Sequence, residues 1–126
     1  ALINKIHDAK INNQPRIDVW GTGNVMREFL HVDDMADGIV FIMENCENES
    51  VINLGSGEEV SIKKLVDILC KIINYNGDVY YDTSKPEGVK RKLLNSSKVK
   101  KIGWSPKIPL EEGLKEMYED YKDAFK

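Results

Sequence analysis

Fifteen residues, Trp20 to Asp34 (WGTGNVMREFLHVDD), constrain this chain more than any other stretch. They bring together an aromatic, a Gly-x-Gly turn, one arginine, a short apolar run and paired carboxylates. The two glycines let the backbone reverse where a side chain would obstruct it. The segment Ile17–Val19 before them is predicted as a short strand running into Trp20, and Glu28–Val32 after them as a second strand. Asp33 or Asp34 is then expected to cap a helix over Met35–Asn45, with Met35, Ile39, Ile42 and Met43 as its apolar stripe. Gly38 costs such a helix about 1 kcal/mol relative to alanine, which predicts close backbone packing at that position. Arg27, directly ahead of a strand-like run, is oddly placed for an indifferent surface charge.

The rest of the chain reads as alternating α and β segments. A helix is predicted over Ala1–Lys10, with Leu2, Ile3, Ile6 and Ala9 on one face and Lys5 on another. Asn12 to Pro15 break it. A polar loop over 46–50 leads to a strand, Val51–Leu54, that ends at Gly55-Ser56-Gly57. Ser61 is expected to cap a helix over Ile62–Asn74, with Leu65, Val66, Leu69 and Ile73 facing inward. A strand over Asp78–Asp82 follows the turn at Gly77, then a basic loop from Lys85 to Lys92. A short helix near Ser96–Lys101 ends at Gly103 as its C′ residue. A last amphipathic helix, Leu110–Phe125, carries Leu110, Leu114, Met117, Tyr121 and Phe125 on one side.

The length of 126 residues suits one domain or part of a larger one, with a modest core. The net charge of −3 argues against a general nucleic-acid or membrane-surface protein. No apolar run is long enough to span a bilayer as a helix. Cys46 and Cys70 form no metal or CxxC pattern, and Cys70 in its apolar run reads as a small buried side chain. The chain opens at Ala1 inside an apparent helix, so a piece of a longer protein is expected.

Neither Gly21-Thr22-Gly23 nor Gly55-Ser56-Gly57 completes a dinucleotide fingerprint. The third glycine position holds Met26 in one case and Val60 in the other, and a strand rather than a helix follows Gly23. The Tyr-x-x-x-Lys pair of a reductase is read as absent, and the chain taken alone is expected to be inactive. Its basic residues carry more information. Lys85, Lys90, Arg91 and Lys92 crowd together in an acidic protein, either as a solvated face or as a diphosphate site. The pyrophosphate of a nucleoside diphosphate sugar carries about two negative charges; arginine meets it with forked hydrogen bonds and lysine with a point charge. Trp20 offers a flat face to a base or sugar, or else sits in the core. Glu87, on the Pro86-Glu87-Gly88 turn, can accept from a diol or from guanine N–H groups, or is an ordinary surface acid. His31 and the Asp33–Asp34 pair read as structural.

Taken together, Trp-Gly-x-Gly-x-x-Met-Arg-Glu-Phe-Leu-His-Val-Asp-Asp, then Val51 to Gly57, Ser84-Lys85-Pro86-Glu87-Gly88 with Arg91 to Leu94, then Gly103-Trp104, resemble the GDP-L-fucose synthase family of extended short-chain dehydrogenase/reductases. The resemblance covers the whole chain. It implies an α/β fold: the C-terminal substrate-binding lobe over 1–126, together with a helix and strand, Asp33–Asn45 and Val51–Leu54, that return to an NADP-binding Rossmann part lying upstream. It implies a GDP-sugar contacted by Trp20, Arg27 and Glu87, with Lys5 and Lys92 joining Arg27 around the diphosphate. The family typically has arginine where Lys5 stands and aspartate where Glu87 stands. In the full enzyme the resemblance implies epimerisation at C3 and C5 of the keto sugar and hydride delivery to C4 from NADPH, in a cytoplasmic homodimer, with catalytic residues upstream of Ala1. The unpaired edge of Val51–Leu54 is expected to favour dimers or swapped elements. The alternatives are another GDP-sugar epimerase or reductase acting on a heptose, a nucleotide- or RNA-binding module using Lys85 to Lys101, and a purely structural interaction domain.

Overall fold

A computed structural model describes residues 1–47 and 51–124. Its elements in chain order are α1 (Leu2–Ile11), β1 (Arg16–Trp20), β2 (Met26–Glu28), α2 (Val32–Asn45), β3 (Glu59–Ser61), α3 (Ile62–Ile73), β4 (Asp78–Asp82), β5 (Arg91–Lys92), α4 (Ser97–Lys101) and α5 (Leu110–Ala124). The chain is thus mixed α/β, as expected.

The main core lies where α1, α3 and α5 meet the parallel pair β1–β4. Along β1 the side chains alternate: Ile17 and Val19 point into the core while Arg16, Asp18 and Trp20 stay outside. Ile6 and Ala9 of α1, and Leu65, Val66, Leu69 and Ile73 of α3, fill the space between. Helix α3 starts as predicted, with the Ser61 hydroxyl accepting from the Lys64 N–H at 3.1 Å. It stops where Asn74 turns left-handed, at φ 58°. Helix α5 packs Leu110, Leu114 and Tyr121 on the core as expected, with Tyr118 in place of Met117. Leu114 and Tyr118 are buried and Met117 is exposed, and Phe125 lies outside the described residues. The reason is Tyr118: its ring meets His7 edge-on at 5.8 Å and its hydroxyl lies 3.1 Å from His7 Nδ1. A count of aliphatic positions misses a tyrosine that buries its ring and keeps a polar partner.

A second, three-stranded sheet has the order β3-β2-β5, with β2 antiparallel to β3 and parallel to β5. Strand β2 begins and ends earlier than the predicted Glu28–Val32. The chain leaves it to enter α2, which His31 caps: its Nδ1 accepts from the Asp33 N–H at 3.3 Å. Neither Asp33 nor Asp34 is the cap. Asp34 is 3% exposed and accepts instead from the backbone N–H of Lys107 at 3.0 Å and of Ile108 at 2.9 Å. Asp37, one turn on, accepts from Trp104 Nε1 at 2.8 Å. The Trp104 bond, then the Lys107 ammonium, hold the Asp37 carboxyl below the usual carboxylate range. The close packing predicted at Gly38 is present: a Cβ there would lie 2.7 Å from Leu54 Cδ1 and 2.9 Å from Trp104 Cε2.

The predicted strand Val51–Leu54 does not form; residues 51–56 are irregular, and 48–50 of the preceding loop lie outside the described residues. A strand needs a neighbour for its backbone groups, and none of the described strands runs beside it. The stripe of α2 is likewise uncovered: Met35, Ile39 and Met43 are exposed, Met43 to 77%.

Asp34 ties the 104–109 segment to α2 through two charge-assisted bonds. Asp34→Ala is expected to lower stability by about 2–4 kcal/mol, from the usual worth of hydrogen bonds to a charged group. Urea unfolding followed by Trp104 fluorescence measures it; a loss within experimental error would show that the tie is idle.

Candidate functional site

Four of the five predicted site residues, Lys5, Trp20, Arg27 and Glu87, line one open cleft of about 340 Å³. Its floor is apolar, from Leu2, Val19, Val25 and Ile62. Lys5 arrives from the outer face of α1, where its ammonium donates to the Asp18 carbonyl at 2.7 Å. One of its three donors is used in this way. Trp20 ends β1 and is 60% exposed, which settles it as a surface tryptophan rather than a core one. The Lys85 ammonium stands 5.9 Å from its ring centroid.

Arg27 is the middle residue of β2. Its Nη1 donates to the Met26 carbonyl at 2.7 Å and to the Val89 carbonyl at 2.9 Å. These bonds set the guanidinium against the 86–89 loop and leave its remaining donors for a ligand. Lys92 does not line the cleft, but it is the register partner of Arg27 in the parallel pair β2–β5. Register partners share a face of the sheet, so the two cations stand side by side. Lys92 has no hydrogen-bond or ion-pair partner among the described residues.

Alternation along the same strands removes Arg91 from this group. Arg91 is the register partner of Met26, on the opposite face from Arg27. Its Nε donates to both Glu59 carboxylate oxygens, at 2.7 and 2.9 Å. Arg91 holds the Glu59 carboxyl below its ordinary range. The basic loop is therefore split: Lys92 toward Arg27, Arg91 into an ion pair.

Glu87 is held rather than loose. Its Oε2 accepts from the Thr22 N–H and from the Thr22 hydroxyl, both at 2.7 Å. These two bonds, the backbone one first, keep its carboxyl below the ordinary glutamate range; partial burial opposes them and Lys90 adds slightly. Its other oxygen, Oε1, has no hydrogen bond among the described residues. Gly21 makes the approach possible, since at φ 82° a Cβ there would overlap Glu87 Cβ. Sequence reading treated Gly21-Thr22-Gly23 only as a turn and missed Thr22. Its only signal is a hydroxyl residue between two glycines.

Side chains already occupy the space above these glycines. The space above Gly21 holds Glu87 and that above Gly23 holds Tyr81, with Tyr81 Cε1 2.5 Å from where a Cβ would stand. Above Gly55 lies the Glu28 carboxylate, and above Gly57 the Lys100 ammonium. At the first turn a ligand would have to displace Glu87 and Tyr81, and at Gly55 it would meet the Glu28 carboxylate. Contrary to expectation, the Tyr-x-x-x-Lys spacing does occur, at Tyr81–Lys85 and Tyr118–Lys122. Tyr81 buries its hydroxyl without a partner while Lys85 lies over Trp20. Lys122 stands over the ring of Tyr118, not at its hydroxyl, and pairs with Glu119 at 2.6 Å. Neither pair presents an acid and an amine to a shared open space, and among the described residues no acidic, histidine and cysteine cluster could hold a metal.

The mixed α/β fold is shared with solved GDP-sugar reductases. Residues 1–55 match the NAD dependent epimerase/dehydratase family. More particularly, the chain is a relative of GDP-L-fucose synthases. It is 47% identical to probable GDP-L-fucose synthase 1 of Oryza sativa subsp. japonica, covering 96% of this chain and 37% of that protein. It is 41% identical to GDP-L-fucose synthase of Escherichia coli strain K12, covering 94% of this chain and 40% of that protein. The chain thus spans about two fifths of the length of these curated relatives. Among solved structures, GDP-mannoheptose C4 reductase from Campylobacter jejuni, with NADP bound, superposes with a TM-score of 0.85 at 34% identity, over 96% of this chain and 43% of that one. A GDP-L-fucose synthetase from Naegleria fowleri superposes with a TM-score of 0.91 at 26% identity, over 98% of this chain and 38% of that one.

Because the Glu87 carboxyl is depressed on folding, the Thr22–Glu87 tie adds stability above the unfolded glutamate value and loses it as pH falls through the lower folded value. Carbon-13 NMR titration is expected to place the Glu87 midpoint below that of a free glutamate. Gly21→Ala forces the left-handed turn and is expected to cost about 1–3 kcal/mol for backbone strain alone. Urea unfolding that shows no loss would mean that the turn yields without effort.

Proposed function

We propose that this chain forms the GDP-sugar-binding part of an NADP-dependent epimerase-reductase that converts GDP-4-keto-6-deoxymannose to GDP-L-fucose. One observation supports the reading above the others: cations from separate parts of an acidic chain meet at one cleft beside an exposed indole. Lys5 and Arg27 line it, and Lys92 stands next to Arg27 on the same sheet face. In this reading they neutralise the diphosphate, with Arg27 supplying directional bonds and the lysines point charges. Trp20 packs against the nucleoside or sugar, and Glu87 Oε1 accepts from a ribose or guanine donor. These residues bind and orient; the chemistry belongs to groups outside this chain. NADP supplies the hydride when bound, and neither Gly-x-Gly turn here carries the third glycine of a dinucleotide fingerprint.

The reading extends to a cytoplasmic homodimer. The uncovered stripe of α2 supports a role for α2 in packing against further protein rather than against solvent. No described helix is long and apolar enough to cross a membrane.

A second reading, a reductase acting on a GDP-heptose, is favoured by the likeness to the Campylobacter GDP-mannoheptose C4 reductase. Product analysis of the intact protein with keto-hexose and keto-heptose GDP-sugars separates the two. An RNA-binding module would instead show affinity for oligonucleotides that falls steeply with salt.

Arg27→Ala in the intact protein is expected to weaken GDP-sugar binding by about 1.5–3 kcal/mol, the usual worth of a charged hydrogen-bonded contact. Calorimetric titration with GDP checks this, and unchanged affinity would remove the diphosphate site.

A further inference from the structure

The turn opposite Glu87 is built more elaborately than a reversal requires. The Thr22 hydroxyl accepts from the Asn24 N–H at 3.2 Å and donates to Glu87 Oε2 at 2.7 Å. Its single proton is thereby committed to the carboxylate. The Thr22 N–H delivers a second bond to the same oxygen. An ionised carboxylate has about four acceptor sites, two on each oxygen. Oε2 is therefore saturated, and all remaining acceptor capacity of Glu87 sits on Oε1. Gly21 and Gly88, both at positive φ, let the two loops close on each other around this contact.

We propose that Thr22 is a positioning residue for ligand recognition: it locks one oxygen of Glu87 so that the other faces the nucleotide in the cleft. The proposal rests on the reading of the cleft as a GDP-sugar site and adds to it a residue that touches no ligand. Glu87 has a longer side chain than the aspartate expected at this turn, with one more rotatable bond. Thr22 removes that freedom before the ligand arrives, which lowers the ordering cost of binding. The same donors keep the carboxylate ionised. The charged groups sharing its surroundings are Lys90 and, across the cleft, Lys5 and Arg27.

The experiment is GDP titration of the intact protein carrying Thr22→Val, Thr22→Ser, Glu87→Gln, the double variant Thr22→Val/Glu87→Gln, and Arg27→Ala as the reference for the site. Valine keeps the backbone bond and the shape but removes the hydroxyl; serine keeps both bonds. Thr22→Val is expected to weaken GDP binding about fivefold, a fraction of the worth of a bond to a charged group. Thr22→Ser is expected to stay within about twofold of the parent, since it retains the hydroxyl bond. In the Glu87→Gln background Thr22→Val is expected to add nothing, and in the parent it should raise the NMR midpoint of the Glu87 carboxyl. A merely structural turn would raise the midpoint as well but would leave GDP binding unchanged and show no coupling to Glu87. If Arg27→Ala weakens binding while Thr22→Val does not, or if Thr22→Val acts equally without Glu87, the positioning role is overturned and the site stands. If Arg27→Ala also leaves GDP affinity unchanged, the site reading fails and the proposal falls with it.

Discussion

A three-residue strand, Met26 to Glu28, is the constraint on which the site depends. It pairs with β3 on one edge and β5 on the other, so it joins chain segments more than thirty residues away on each side. Its last residue strengthens both joints. Glu28 accepts from the Gly57 N–H at 2.6 Å through one oxygen and from the Leu94 N–H at 3.0 Å through the other. Such bonds to an ionised acceptor are roughly twice as strong as neutral ones. Arg27, between its two neighbours on β2, inherits its position from these fixed flanks.

The sheet then sorts charge by the pleat alone. Arg27 and Lys92 fall on one face, while Arg91 falls on the other and is neutralised by Glu59. One residue of register therefore separates a cation available to an anionic ligand from one bound within the protein. The carboxylates divide in the same way. Glu28, Asp34 and Asp37 are spent on holding segments together, whereas Glu87 keeps one oxygen unengaged at the cleft.

Much of this was legible in the sequence, and the limits have physical causes. Helix α3 could be read closely because its apolar period, serine cap and terminal asparagine all agree. Trp20, Arg27 and Glu87 could be singled out because an aromatic before a turn, charge placed against a strand and an acid on a turn are each local signals, whereas Lys5 came from the family resemblance alone. The placing of Lys92 beside Arg27 came from the family resemblance alone, since register is a tertiary fact. The cap of α2 was misread because His31 competes with two better-known capping residues, and Asp34 was already engaged with an amide pair more than seventy positions away. The strand expected at 51–54 failed for a different reason: its β-branched residues favour extension, but no described strand lies beside it to supply hydrogen bonds. Thr22 escaped notice because its partner is sixty-five residues distant.

The two tryptophans give the most direct test, since one borders the cleft and the other does not. Trp20 is 60% exposed at the cleft, and Trp104 is 4% exposed with its indole N–H held by Asp37. Proton–nitrogen NMR of the intact protein during addition of GDP should shift the Trp20 indole and the Arg27 Nε signals and leave the Trp104 indole in place. Unmoved Trp20 and Arg27 signals, or shifts confined to the lysines of α4, would contradict a nucleoside diphosphate site at this cleft.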